Sequence, residues 1–473
     1  AGRGGRDLTR GSIVGALVAL AVPISLANVL QTVYQLTDTF WLGRIGAAAV
    51  AAVSLSFPVI FVLISLGGGL SVAGAILVAQ YRGRGDQAAV DHVASQTLLA
   101  IVAVAIALSV VGYTGAGAIM RLMGARGAVL DGAVAYLEVS FLGLTFLFVY
   151  FVFQSLMRGV GDVLTPFVIV LVTVLLNFAA DPLFILGWGP IPAMGVAGAA
   201  AATVLTQGIA AVIGLVLLFS GKQAIRLRAR DLAGLDIPLL GRMVRLGAPA
   251  ALEQTTRGLG FAVMATLVAA YPTVTIAAYG IGSRILSFFV IPALGLSMAT
   301  STLVSQNIGA GKTDRVDATA RLSLLVAFLV LGAAGLLVLP FAGPIVGAFI
   351  RDDPAVVAEG AHFLRILAWS FGFLGFSITI GGIFRGAGNT MLALVMTVLS
   401  VWVFLFPVAW VLSFRTPLAA DGIWWAHPTS YVLTALTGGA WLLFGRWKKP
   451  ALTGDEALAE EVTQEAIVEE GIG

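Results

Sequence analysis

"VASQTLLAIVAVAIALSVVGYTGAGAIM", residues 93–120, runs for 28 residues without one Asp, Glu, Lys or Arg. An α-helix needs about 20 apolar residues to cross a bilayer, so this stretch reads as a spanning helix. Three further charge-free runs, Pro182 to Gly221, Gly258 to Ser283 and Leu322 to Ile350, pass the same test. Across all 473 residues the charged fraction is 11% and the hydrophobic fraction 59%, with a mean hydropathy of +1.00. Soluble domains carry about 25% charged residues. The chain is therefore expected to be an all-α polytopic membrane protein. A spanning β-barrel would show alternating segments of about 10 residues, and no such alternation is visible.

Division of the apolar runs at Gly, Pro and charge clusters predicts twelve spans, beginning near residues 13, 46, 93, 132, 163, 193, 242, 275, 318, 359, 390 and 419. Of the Lys and Arg residues, 19 fall in the N-terminus, the even-numbered loops and the C-terminal end, among them Arg226, Arg228, Arg230, Lys448 and Lys449. Six fall in the odd loops: Arg44, Arg121, Arg126, Arg351, Arg365 and Arg415. By the positive-inside rule both termini then face the cytoplasm. Arg257 and Arg284 lie within spans. The expected organisation is an N-terminus over 1–12, a six-helix lobe over 13–220 and a basic linker over 221–241, then a second six-helix lobe over 242–447 and a tail over 448–473. From Asp455 onward the tail holds seven acidic residues, which predicts a solvated segment. "AGRGGRDLTR" at the start lacks the apolar core of a secretory signal, so the first span is expected to direct insertion itself. Cysteine is absent, which excludes disulfides and thiolate chemistry. The net charge of +3 follows the loop bias and does not point to nucleic acid.

The chain is written twice. At an offset of 226 to 227, "VAQYRGRGD" from Val78 meets "VSQNIGAGK" from Val304, "RGVGD" from Arg158 meets "RGAGN" from Arg385, and Pro23 falls on Pro249. Six spans per copy is an even number, so both copies enter the membrane in the same sense. A pseudo-two-fold axis along the membrane normal follows, as in parallel-repeat transporters.

Polar residues then mark candidate sites. On the first span Asn28, Gln31, Tyr34, Gln35 and Asp38 recur at helical spacing on one side, and Thr173, Asn177 and Asp181 do so on the fifth. Thr203, Thr206 and Gln207 form a patch on the sixth. An acid within a span costs several kcal/mol unless a cation, a proton or a partner compensates it, which makes Asp38 and Asp181 functional candidates. The competing reading places both at the outer interface as hydrated caps. Pro23 lacks an amide hydrogen and is expected to bend the first helix. In the second copy Met264, Phe404 and Val408 stand where Asp38, Asn177 and Asp181 stand in the first, an asymmetry that favours a site confined to the first half. Glu253 and Arg257, four apart on the seventh span, suit an intrahelical ion pair, with Arg284 as another partner. Glu253 stays a secondary coupling candidate.

Other signals carry less. "GVGD" from Gly159 matches the GxGD of intramembrane aspartyl proteases, but the second copy reads "GAGN" and both suit tight turns. His92, His362 and His427 lack zinc-protease spacing, and no phosphate loop of the GxxxxGK[ST] type is present.

The stretches "PISLANVLQTVYQLTDTFWLGRIG", "RGVGD", "LLNFAADPLFILGWG" and "GVAGAAAAT" resemble the MATE family of multidrug and toxic compound extrusion transporters, in its DinF-like prokaryotic branch. The resemblance spans Ile13 to about Trp447. It implies a cation or proton site of Asp38, Asn177, Asp181 and Thr203, and a drug cavity lined by Gln31, Tyr34, Tyr150 and Gln154. It further implies a monomeric antiporter of the prokaryotic inner membrane that exports amphipathic, often cationic compounds. H⁺ or Na⁺ is the coupling ion, with no other cofactor or metal. The NorM branch uses acids in the second half, whereas here the body of the tenth span has none. A flippase for a lipid-linked or polysaccharide precursor is the alternative transporter, expected to show a more cationic cavity. A non-transporting scaffold or receptor would leave the one-sided acids without a reason.

Overall fold

A computed structural model describes residues 5–190, 192–232, 234–350, 353–445 and 447–448. Arg351, Lys449 and the acidic tail lie outside the described residues. The helices in order are α1 (Ile13–Ile45), α2 (Ala47–Arg84), α3 (Gln87–Leu122), α4 (Gly127–Gly159), α5 (Leu164–Leu186), α6 (Gly195–Ser220), α7 (Ile237–Val268), α8 (Thr273–Gly309), α9 (Thr313–Gly347), α10 (Pro354–Ala368), α11 (Phe371–Gly386), α12 (Thr390–Val398), α13 (Phe406–Phe414) and α14 (Ala420–Phe444). A π-helical stretch, Leu399–Leu405, joins α12 to α13 in one span. α10 and α11 form another, bent by 57° at their junction. The result is twelve spans in two six-span bundles. Among the described residues nine helices, or ten with the bent pair, are long and apolar enough to cross a membrane by composition. The other two spans are α7, which carries Arg242, Arg245, Glu253 and Arg257, and α14, which carries Asp421 and His427.

Several helices begin about one turn before their apolar run. Orphan amides of a first helical turn need an acceptor, and a short polar side chain just ahead of the helix supplies one. Asp86 accepts from the Ala89 amide at α3 (3.0 Å), and Asp236 from Leu239 at α7 (3.0 Å). Asp353 accepts from Ala355 at α10 (3.1 Å). The same device closes the repeated "RGxG" turns. Gly161 and Gly388 take φ of +82° and +80°, Asp162 accepts from Thr165 (3.1 Å), and Asn389 accepts from Leu392 (3.1 Å). The GxGD string is thus a turn followed by a cap.

Helices in lipid gain little from hydrophobic contact with each other, so close backbone approach and hydrogen bonds hold them together. The two halves meet reciprocally: α1 packs on α8, α7 on α2, and α2 on α8. A side chain at Gly83 would overlap the Gln306 carbonyl, and one at Gly309 would overlap the Gln80 carbonyl. Gln306 Nε2 donates to the Gly159 carbonyl (2.9 Å), and Gln80 Nε2 to the Gly386 carbonyl (3.5 Å). This symmetric crossing seals the end of the bundle that bears the α6–α7 linker. Residues before α1 add to the seal. The Leu8 amide donates to Gln306 Oε1 (3.3 Å), and Lys312 Nζ donates to the Thr9 carbonyl (2.8 Å).

Candidate functional site

The polar stripe of α1 meets those of α5 and α6 about two turns from the far ends of these helices. Asp181 and Asn177 are fully buried. Their spacing of four on α5 lets Asn177 Nδ2 donate to Asp181 Oδ1 (3.0 Å). Across from them the half-buried Asp38 receives a long hydrogen bond from Thr203 Oγ1 (3.5 Å). The carboxyl groups of Asp38 and Asp181 face each other closely enough to interact electrostatically, with Asn177 beside them. Ionised carboxylates only accept, so neither acid can satisfy the other without a proton or a cation between them.

Three buried oxygens in this cluster have no hydrogen-bond partner among the described residues: Asp38 Oδ1, Asn177 Oδ1 and Asp181 Oδ2. Such groups are costly when left unmade. An oxygen-only set with two carboxylates suits a proton or a hard monovalent ion. Among the described residues no group of three acids, His or Cys could hold a metal ion.

One turn deeper the Tyr34 hydroxyl meets Thr206 Oγ1 (3.1 Å). Thr206 points its own hydrogen at helix carbonyls, Ala202 and Thr203 at 3.0 Å each, so Tyr34 is the donor. Tyr150 is buried, and its hydroxyl lacks a hydrogen-bond partner among the described residues. Gln154 is partly buried, while Gln31 is exposed. Pro23 sits within an unbroken α1, and just beyond it Ser25 packs on Gly295 of α8, where a Cβ would collide with the Ser25 hydroxyl. Tyr136 on α4, within electrostatic range of both acids, was not singled out by any spacing in the sequence.

Glu253 is buried on α7 and accepts from Arg257 (2.9 Å) and from Arg385 on α11 (2.6 Å). Arg284 is exposed on α8 and, among the described residues, is not one of the partners of Glu253. Arg385, expected in the loop after the tenth span, lies instead in the last turn of α11, which carries it back toward α7.

The sequence matches the MatE profile twice, over residues 23–183 and 249–411, one match in each half. The chain belongs to the MatE family. It is 30% identical over 450 residues to the "Probable multidrug resistance protein YoeA" of Bacillus subtilis, covering 93% of this chain and 96% of that one. It is 27% identical to the "Probable multidrug resistance protein NorM" of Thermotoga maritima, with 94% and 95% covered. A solved outward-facing multidrug resistance MATE transporter superposes with a TM-score of 0.86 at 24% identity, covering 93% of this chain and 97% of that chain. This MatE protein is accordingly a multi-pass membrane transporter with the MATE fold, and not an enzyme.

Proposed function

We propose that the protein is a multidrug efflux antiporter of the prokaryotic inner membrane, of the DinF-like type, with the linker end facing the cytoplasm. The exported compounds are amphipathic and often cationic, and inward movement of H⁺ or Na⁺ drives them out. The observation that carries this reading is the set of unpartnered buried oxygens on Asp38, Asn177 and Asp181. An ion or proton entering there satisfies them, and one leaving restores the cost. Sealing at the linker end leaves the ion site to be served from the opposite side.

The coupling step follows from the three helices that share the site. Neutralisation draws α1 toward α5 and α6, and Pro23, where the helix lacks one hydrogen bond, is where α1 gives. The drug cavity beside Tyr34, Tyr150, Gln31 and Gln154 then changes shape. Coupling requires that ion and drug favour different shapes of this cavity. Glu253, compensated by two guanidinium groups, is read as structural.

Drug efflux from proteoliposomes, with pH and Na⁺ gradients imposed separately, tests the proposal. Efflux is expected under one gradient and lost in a well-folded Asp38→Asn variant. Undiminished gradient-driven efflux in that variant would return Asp38 to a structural role and direct attention to Glu253.

A further inference from the structure

The repeat makes Arg158 and Arg385 equivalent, yet their surroundings differ. Arg385 donates to Glu253 (2.6 Å) and to Ser297 Oγ (3.0 Å). Arg158 donates to Ser155 Oγ (2.8 Å) and has no carboxylate partner among the described residues. The position that Glu253 occupies in the second half is Ala27 in the first. Arg158 and Arg385 lie within Coulomb range of each other, one from each half. Arg257 shares the single acid with Arg385. Two guanidinium groups thus share one carboxylate, and a third, Arg158, stands within Coulomb range of Arg385 without one, so three positive charges in this region meet a single negative one. That excess is expensive unless something negative visits it.

We infer that Arg158, Arg257 and Arg385 form a binding site for an oxyanion, the phosphate or carboxylate of an amphipathic molecule, where the two halves meet toward the linker end. Guanidinium groups suit this role because their fixed fork of donors matches two oxygens at once. Glu253 holds two of them in place, and Arg158 supplies the unspent charge. The inference rests on the export reading and extends its substrates to organic anions. Binding is measured without a gradient, so failed coupling and absent anion recognition give different results.

The test uses full-length protein in phosphatidylcholine nanodiscs, with equilibrium dialysis of naphthyl phosphate against neutral naphthol. Wild type is expected to prefer the phosphate by about tenfold, the strength of one charge-assisted hydrogen bond. Arg158→Gln is expected to abolish the preference and Arg158→Lys to keep part of it. Nanodiscs doped with phosphatidylglycerol separate two sources of the anion. Competition by the lipid identifies a headgroup site, and its absence identifies a site for soluble anions. Equal binding of phosphate and naphthol by wild type, or an unchanged preference in folded Arg158→Gln, overturns the inference. Should Arg158→Gln not fold, Ala27→Glu places an acid at the position that pairs the second copy. It is expected to remove the preference, and a folded Ala27→Glu protein that keeps it overturns the inference equally.

Discussion

Asp38 and Asp181 are held by different means, and substitution should separate them. Asp181 is gripped by Asn177 one turn away on its own helix, whereas Asp38 relies on a long bond from Thr203 of a different helix. Asp181→Asn keeps the shape and removes the charge, so gradient-driven transport should vanish while the melting temperature barely moves. Tyr34→Phe removes one donor to Thr206 and leaves both acids, a loss of about 1 kcal/mol or less for such a bond in a membrane. Its initial transport rate should fall a few-fold and stay gradient-dependent. Both follow from proteoliposome rates beside a thermal melt. The acids were legible in the sequence because each interrupts an apolar helix on a polar face. Tyr136 was not, since a lone tyrosine in α4 has no spacing that ties it to acids on α1 and α5. The Glu253–Arg385 pair was hidden for a related reason: loop assignment by composition placed the arginine outside the helix that carries it.

Among the elements, helix starts and interruptions were the least legible. Apolar runs mark the lipid-facing length of a helix, while its cap is polar and lies outside that run, as Asp86, Asp236 and Asp353 show. The break between α10 and α11 and the π-helical stretch at Leu399–Leu405 had no proline or charge at their centres to announce them. At α7 the cap makes a pH prediction. The Leu239 amide and then the His92 side chain hold the Asp236 carboxyl below its ordinary range. A lowered carboxyl contributes stability that is complete above the unfolded pKa and is lost as pH falls through the folded one. Asp236→Asn still caps the helix but does not titrate. Melting temperatures from neutral pH to below about 4 should therefore fall less in the variant than in wild type, and parallel curves would refute this.

For the molecule as a whole, the internal repeat was the most informative feature of the sequence, since it implied the axis before any contact was known. Its motif glycines proved to be the crossing itself, which spacing alone did not reveal. Gly309→Val should force α2 from α8 and keep the linker end from sealing. The chain lacks cysteine, so Ser305→Cys, at a position 1% exposed, reports the seal. In inside-out vesicles that thiol should resist an impermeant maleimide, and it should react once Gly309→Val is added. Equal protection in both would show that the crossing is not the gate. At its centre the seal consists of glycine Cα atoms, glutamine amides and backbone carbonyls, all uncharged. Parting these groups by itself moves no charge. The membrane field, worth about 2.3 kcal/mol per 100 mV for each elementary charge carried across, reaches the crossing through the cations that flank it, Lys312 and the arginines where the halves meet. Membrane voltage therefore acts on the gate through these flanking cations rather than through the crossing itself, and on the transport cycle through the ions and substrates that the protein carries.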